Sequence, residues 1–123
     1  MKFDYEIEEE NNLSVIFFQG NLIEKYEAEN VLADVAELIT EGKSNFIIDF
    51  KDFEYLNSSG LNVILNILTK SRIAGGETVI CEVPDKLKKL FIITKLDAVF
   101  TQTISLEEAR NKFNQHKQPP IIQ

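Results

Sequence analysis

The sequence has one cysteine and one histidine in 123 residues, and each scarcity closes off chemistry. A single thiol, Cys81 inside the apolar run T-V-I-C-E-V, cannot form an internal disulfide, which suits a reducing compartment. With only His116 to join Cys81, any metal centre would need carboxylates, and no EF-hand spacing of acids and glycine occurs. Asp49, Asp52 and Glu54 lie close together around the expected end of a strand, where ordinary loop solvation accounts for them better than a divalent cation. No run approaches ~18 consecutive apolar residues, so nothing is expected to span a bilayer. The start Met1-Lys2-Phe3-Asp4 lacks a charged region followed by an apolar one, so no secretory signal is expected. The N-x-S triplets at Asn12 and Asn57 then read as chance matches. Positive charge is short as well: 13 Lys and Arg against 20 Asp and Glu leave a formal charge of −7. Phosphates would be repelled at long range, so neither nucleic acid nor an anionic membrane is an expected partner. A basic or polar protein partner and a cytoplasmic location are.

What is present fits one compact domain, since 44% hydrophobic residues in a chain of this length suffice for a single core. Phe3, Tyr5 and Ile7 alternate with charges, as in a half-buried strand, and Glu6, Glu8, Glu9 and Glu10 form its solvated side and rim. Asn11-Asn12 suits a tight turn into a second strand, Leu13 to Phe18, which Gly20 is expected to end. From about Glu24 to Glu41 the period becomes helical, with Ala28, Val31, Leu32, Val35, Leu38 and Ile39 on one face. Gly42 stands at the expected C-cap, and Phe46 to Phe50 reads as a central strand covered on both faces. After N-S-S-G, Leu61, Ile64, Leu65 and Leu68 trace a second helix that Gly75-Gly76 stops. Val79 to Val83 is a strand, Pro84-Asp85 opens a third helix with Lys86, Lys88 and Lys89 on its solvated face, and Phe100 to Ile104 is a last short strand. Ser105-Leu106-Glu107-Glu108 is a capping box for a fourth helix carrying Leu106, Ala109 and Phe113. The result is an α/β fold with a mixed sheet of about five strands and about four helices. The domain is expected over residues 1–115, with 116–123 a flexible tail.

The stretch Tyr55-Leu56-Asn57-Ser58-Ser59-Gly60-Leu61 places adjacent hydroxyls between an apolar strand and an apolar helix. A nucleophile elbow, G-x-S-x-G, would need a glycine that is missing here, and a hydroxyl nucleophile needs a base, which His116 in the expected tail does not provide. Glu41-Gly42-Lys43-Ser44 resembles the end of a P-loop, but position 37 is Glu where a glycine is required, and the segment runs from helix to strand instead of strand to helix. Neither enzyme activity nor a cofactor is expected. Capping alone explains part of the turn: Asn57 is a good N-cap, Ser58 an alternative one residue on, and Gly60 permits close backbone approach.

The segment I-I-D-F-K-D-F-E-Y-L-N-S-S-G-L-N-V-I-L resembles the signature of the STAS domain, most closely that of the bacterial anti-sigma factor antagonists. Phe18-Gln19-Gly20-Asn21-Leu22 upstream, and G-G-E-T-V-I-C-E-V-P-D-K-L-K-K-L-F and T-I-S-L-E-E-A downstream, continue the resemblance over residues 3 to 115. It implies a non-enzymatic partner-switching regulator. Ser58 corresponds to the serine that a cognate anti-sigma factor, itself a serine kinase, phosphorylates; a phosphoserine phosphatase resets it. Asn57, Ser58, Ser59, Gly60, Leu61 and Asn62 would form the partner-binding surface, extended by the outward side of the helix to Ser71. The family usually has Asp where this chain has Asn57. A second class of relative, the STAS subunit of a lipid-trafficking ABC transporter, would act as an interaction module with no phospho-switch.

Overall fold

The structure, a computed structural model, describes residues 1–117. Strand β1 (Asp4–Glu10) pairs antiparallel with β2 (Leu13–Leu22) across the Asn11-Asn12 turn, where Asn11 takes the left-handed conformation at φ 53°. Helix α1 (Glu29–Thr40), preceded by a 3-10 turn over Lys25–Ala28, crosses to β3 (Asn45–Leu56); α2 (Ser58–Ile73) then leads to β4 (Thr78–Cys81), and α3 (Asp85–Ile93) to β5 (Thr101–Thr103). Helix α4 (Leu106–Lys117) closes the described chain. The sheet order is β1-β2-β3-β4-β5, parallel from β2 onward.

Two apolar clusters divide the core between the sheet faces. On one, Ile16, Phe18, Ile48, Phe50 and Ile80 meet Val31 and Val35 of α1, Ile64 and Leu68 of α2, and Leu87 and Phe91 of α3. On the other, Leu13, Val15, Ile47, Val79 and Cys81 meet Ala109 and Phe113 of α4 alone. Both faces of β3 and β4 are thus covered, which is why these strands read as continuous apolar runs.

Two strands run further than their patterns suggest. Gly20 does not end β2: at φ 76° it stays paired, and a Cβ there would lie 2.2 Å from the Lys2 carbonyl oxygen, so its role is to let the N-terminal segment pass. Strand β3 continues past Phe50 to Leu56 because register shifts opposite Phe17–Gln19 and Gly20–Asn21 insert extra residues. Each bulge breaks the two-residue period, so Phe50, Phe53 and Leu56, three apart, all enter the same core cluster. Asp49, Asp52 and Glu54 therefore lie within β3 and not around its end; Asp49 is buried while Asp52 and Glu54 are exposed. Among the described residues no three acids, cysteines or histidines come together to hold a metal ion. Strand β4 ends at Cys81, two residues short of expectation. Helix α4 continues through Lys117, so the helix includes the first part of the expected tail; residues 118–123 lie outside the described ones. No helix among the described residues is long and apolar enough to cross a membrane.

Candidate functional site

The site begins where β3 ends. Leu22 and Leu56 are partners at the ends of two parallel strands, so the segment after β2 emerges beside the turn that starts α2. Asn57 is the N-cap: extended at φ −105°, ψ −167°, it accepts the Gly60 amide on Oδ1 at 3.1 Å, while its carbonyl accepts the Leu61 amide at 2.9 Å. This decides between the two candidate caps. With Asn57 serving the helix end, Ser58 becomes the first helical residue, exposed, with no part in the cap.

Of the six residues expected to meet a partner, the structure brings Ser58, Ser59 and Asn62 to the surface and leaves Asn57 half-buried. Gly60 and Leu61 belong below it. A Cβ on Gly60 would lie 2.5 Å from the Leu22 carbonyl oxygen and 2.8 Å from the Leu56 Cβ, so glycine is what allows α2 to seat on the strand ends. Leu61, 6% exposed, fills the core cluster, so its side chain is not a surface contact, since the one-in-3.6 helical period turns it inward. Ser71 is likewise buried, sharing a hydrogen bond with Thr78 Oγ1 at 2.8 Å, which ends the expected outward face before it.

The structure also exposes large side chains that the linear pattern did not single out. Tyr26 after β2 and Tyr55 at the end of β3 are 67% and 52% exposed, and Ile93 at the end of α3 is 77% exposed. A cavity of about 220 Å³ lies between β3 and α3, walled by Tyr55, Leu56, Leu87, Leu90 and Ile93, with Lys86 and Lys89 beside them. The expected signal for these residues was absent because an exposed Tyr or Ile in a strand or helix pattern reads as core. The α3 lysines Lys86, Lys88 and Lys89 are exposed, as the sequence implied.

His116 belongs to α4, which packs on the sheet face opposite α2. Gly42, at φ 86°, closes α1 and leads into β3, so the Glu41-Gly42-Lys43-Ser44 segment has the polarity of a helix end. Burial pushes the carboxyl of Asp49 above its ordinary range and the Cys81 thiol above its own, which keeps that thiol in its unreactive protonated form.

The chain that carries this turn has a match over nearly its whole length. The STAS domain family matches residues 4–110. The chain belongs to the STAS domain family. Over 103 residues this STAS domain is 26% identical to BtrV of Bordetella bronchiseptica, described as an anti-sigma factor antagonist, covering 84% of the chain and 88% of that relative. The anti-sigma factor antagonist SpoIIAA in its unphosphorylated form superposes with a TM-score of 0.72 at 18% identity, over 91% of this chain and 98% of that one. The phosphorylated form of SpoIIAA, a Bacillus cell fate determinant, gives 0.71 at 20% identity, over 89% and 99%. The five-stranded mixed sheet with four helices is the fold these STAS proteins share.

Proposed function

We propose that this STAS domain is an anti-sigma factor antagonist that binds an anti-sigma factor with serine-kinase activity and is released by phosphorylation at Ser58. The observation carrying the proposal is the division of labour at the start of α2: Asn57 holds the helix end, and Ser58 presents its hydroxyl to solvent. The relatives described as anti-sigma factor antagonists support the partner class. Tyr55, two residues before Asn57, and Ile93 wall one apolar cavity and are exposed, which supports a docking role over a catalytic one.

The physics of the switch follows from position. A phosphate on Ser58 adds roughly −1.5 to −2 charges. In the first turn of α2 the helix dipole favours that anion by ~0.3–1 kcal/mol, so the fold tolerates it. Binding is another matter, because docking over Ser58 would strip water from the dianion. A buried charge without a matching cation costs several kcal/mol, and roughly 2.8 kcal/mol already weakens an association a hundredfold. No rearrangement of the domain is needed. A phosphoserine phosphatase would restore the binding form.

The test is direct. Incubated with its cognate anti-sigma factor and ATP, the wild type should acquire one phosphate, mapped to Ser58 by mass spectrometry. Ser58→Asp should keep the wild-type circular dichroism and lose the partner, whereas Ser58→Ala should bind and never be released. Equal binding by all three forms would overturn the assignment.

A further inference from the structure

Away from Ser58, the strands that end the sheet create a second feature. The connection after β4 carries α3 to the face shared with α1 and α2, whereas the connection after β5 carries α4 to the opposite face. Adjacent parallel strands whose following helices diverge leave a crevice outside their carboxyl ends, the position at which open α/β sheets bind ligands. A cavity of about 550 Å³ opens at that crevice, with walls from the end of β4, α3, β5 and α4. Its size lies within the range of about 300–1,000 Å³ typical of small-molecule sites.

The lining gives the crevice its chemistry. Lys88 of α3 and Lys112 of α4 approach it from helices on opposite sheet faces, and Glu82 joins them at the end of β4. Among the described residues none of these three charges has an ion-pair partner. Glu108, four residues before Lys112, adds a second carboxylate to the lining, its Oε1 accepting the Ile104 amide at 3.0 Å. Glu82 is half-buried and held at φ 54°, a left-handed conformation uncommon for a residue with a side chain; its amide donates to the Ile104 carbonyl at 3.2 Å. The apolar lining is Val83, which is buried, and Ile104, which is 79% exposed.

We propose that this crevice binds a small zwitterion of the α-amino-acid type, its carboxylate between Lys88 and Lys112 and its ammonium on Glu82. A simple anion would be repelled by Glu82, and a simple cation by the two lysines. With Glu108 the lining carries two lysines and two carboxylates, so a molecule carrying both charges is the one that pairs both kinds, and an apolar side chain on it would cover Val83 and Ile104. The site is independent of the Ser58 switch, so either can fail without the other.

The test is a ¹H–¹⁵N NMR titration of the full chain with each of the free amino acids, using inorganic phosphate and butylamine as single-charge controls. At least one amino acid should give saturable shifts on the amides of Glu82, Gln102, Ile104 and Lys112, with a Kd on the order of 1 mM or below. Glu82→Gln and Lys112→Gln, each with an unchanged melting curve, should weaken it about tenfold or more. Absence of saturable shifts with every amino acid would overturn the proposal. So would equal binding of phosphate or butylamine at the same amides, or undiminished binding by both variants.

Discussion

Asn57 and Ser58 are neighbours with different duties, and the hydrogen bond from the Gly60 amide to Asn57 Oδ1 separates them. Asn57→Ala should lower unfolding free energy by about 1 kcal/mol in urea denaturation, the usual loss on deleting an N-cap side chain. Asn57→Asp keeps the acceptor and adds a negative charge at the positive end of α2, so stability should rise by ~0.3–1 kcal/mol at low salt. If the proposed switch operates, the restored acid should also raise the initial rate of phosphate incorporation at Ser58 without altering circular dichroism. Asp49 makes a separate prediction. Burial raises its carboxyl pKa above the ordinary value, with the Lys51 amide's hydrogen bond to Oδ1 at 2.8 Å opposing the shift. The folded state therefore holds its proton to higher pH than the unfolded chain does, and stability falls as pH rises from the unfolded pKa through the folded one. Asp49→Asn keeps an acceptor for Lys51 and removes the buried charge. It should raise the melting temperature at neutral pH, with the gain shrinking as pH falls below the carboxylate range.

At the scale of elements, α2 and β3 depend on exceptions to their own periodicities. Helix propensity alone says that Gly60→Ala should stabilise α2 by about 1 kcal/mol. The opposite sign is expected, a loss of about 1–3 kcal/mol by thermal or urea unfolding, because the added methyl meets the Leu22 carbonyl and Leu56 where α2 sits on the strand ends. Strand β3 makes the same point. Its bulges turn Phe53 inward, 4% exposed, into aromatic contact with Phe18 and Phe50 at ring centroid distances of 5.9 and 5.4 Å. Phe53→Ala should destabilise the protein by about 3–5 kcal/mol, as for a large buried aromatic, although the alternating pattern around it gives no hint of burial. These two devices aim the end of β3 so that Asn57 and Ser58 arrive beside the end of β2.

At the scale of the whole molecule, contacts distant in sequence tie the layers together. Glu10, read from its acidic run as a strand rim, takes a bidentate ion pair from Arg110, with Nη2 to Oε2 at 2.6 Å, joining the hairpin to α4 across a hundred residues. Both side chains are about one-third exposed, so Arg110→Ala should lower stability by only about 0.2–1 kcal/mol. The clearer readout is faster amide hydrogen exchange confined to α4. Element order, hairpin, capping box, the glycines that end α1 and α2 and the serine at the start of α2 were legible in the chain, because each rests on local causes: side-chain period, cap chemistry and the conformational freedom of glycine. The STAS signature likewise is a run of consecutive residues. Burial of Leu61 and Ser71, the extension of β2 and β3, and the exposure of Tyr26, Tyr55 and Ile93 were decided only by tertiary structure. So was the crevice between α3 and α4. Which face of an element meets the core, and which strand ends lie side by side, depends on the order of strands in the sheet, and that order is fixed by packing between residues far apart in sequence.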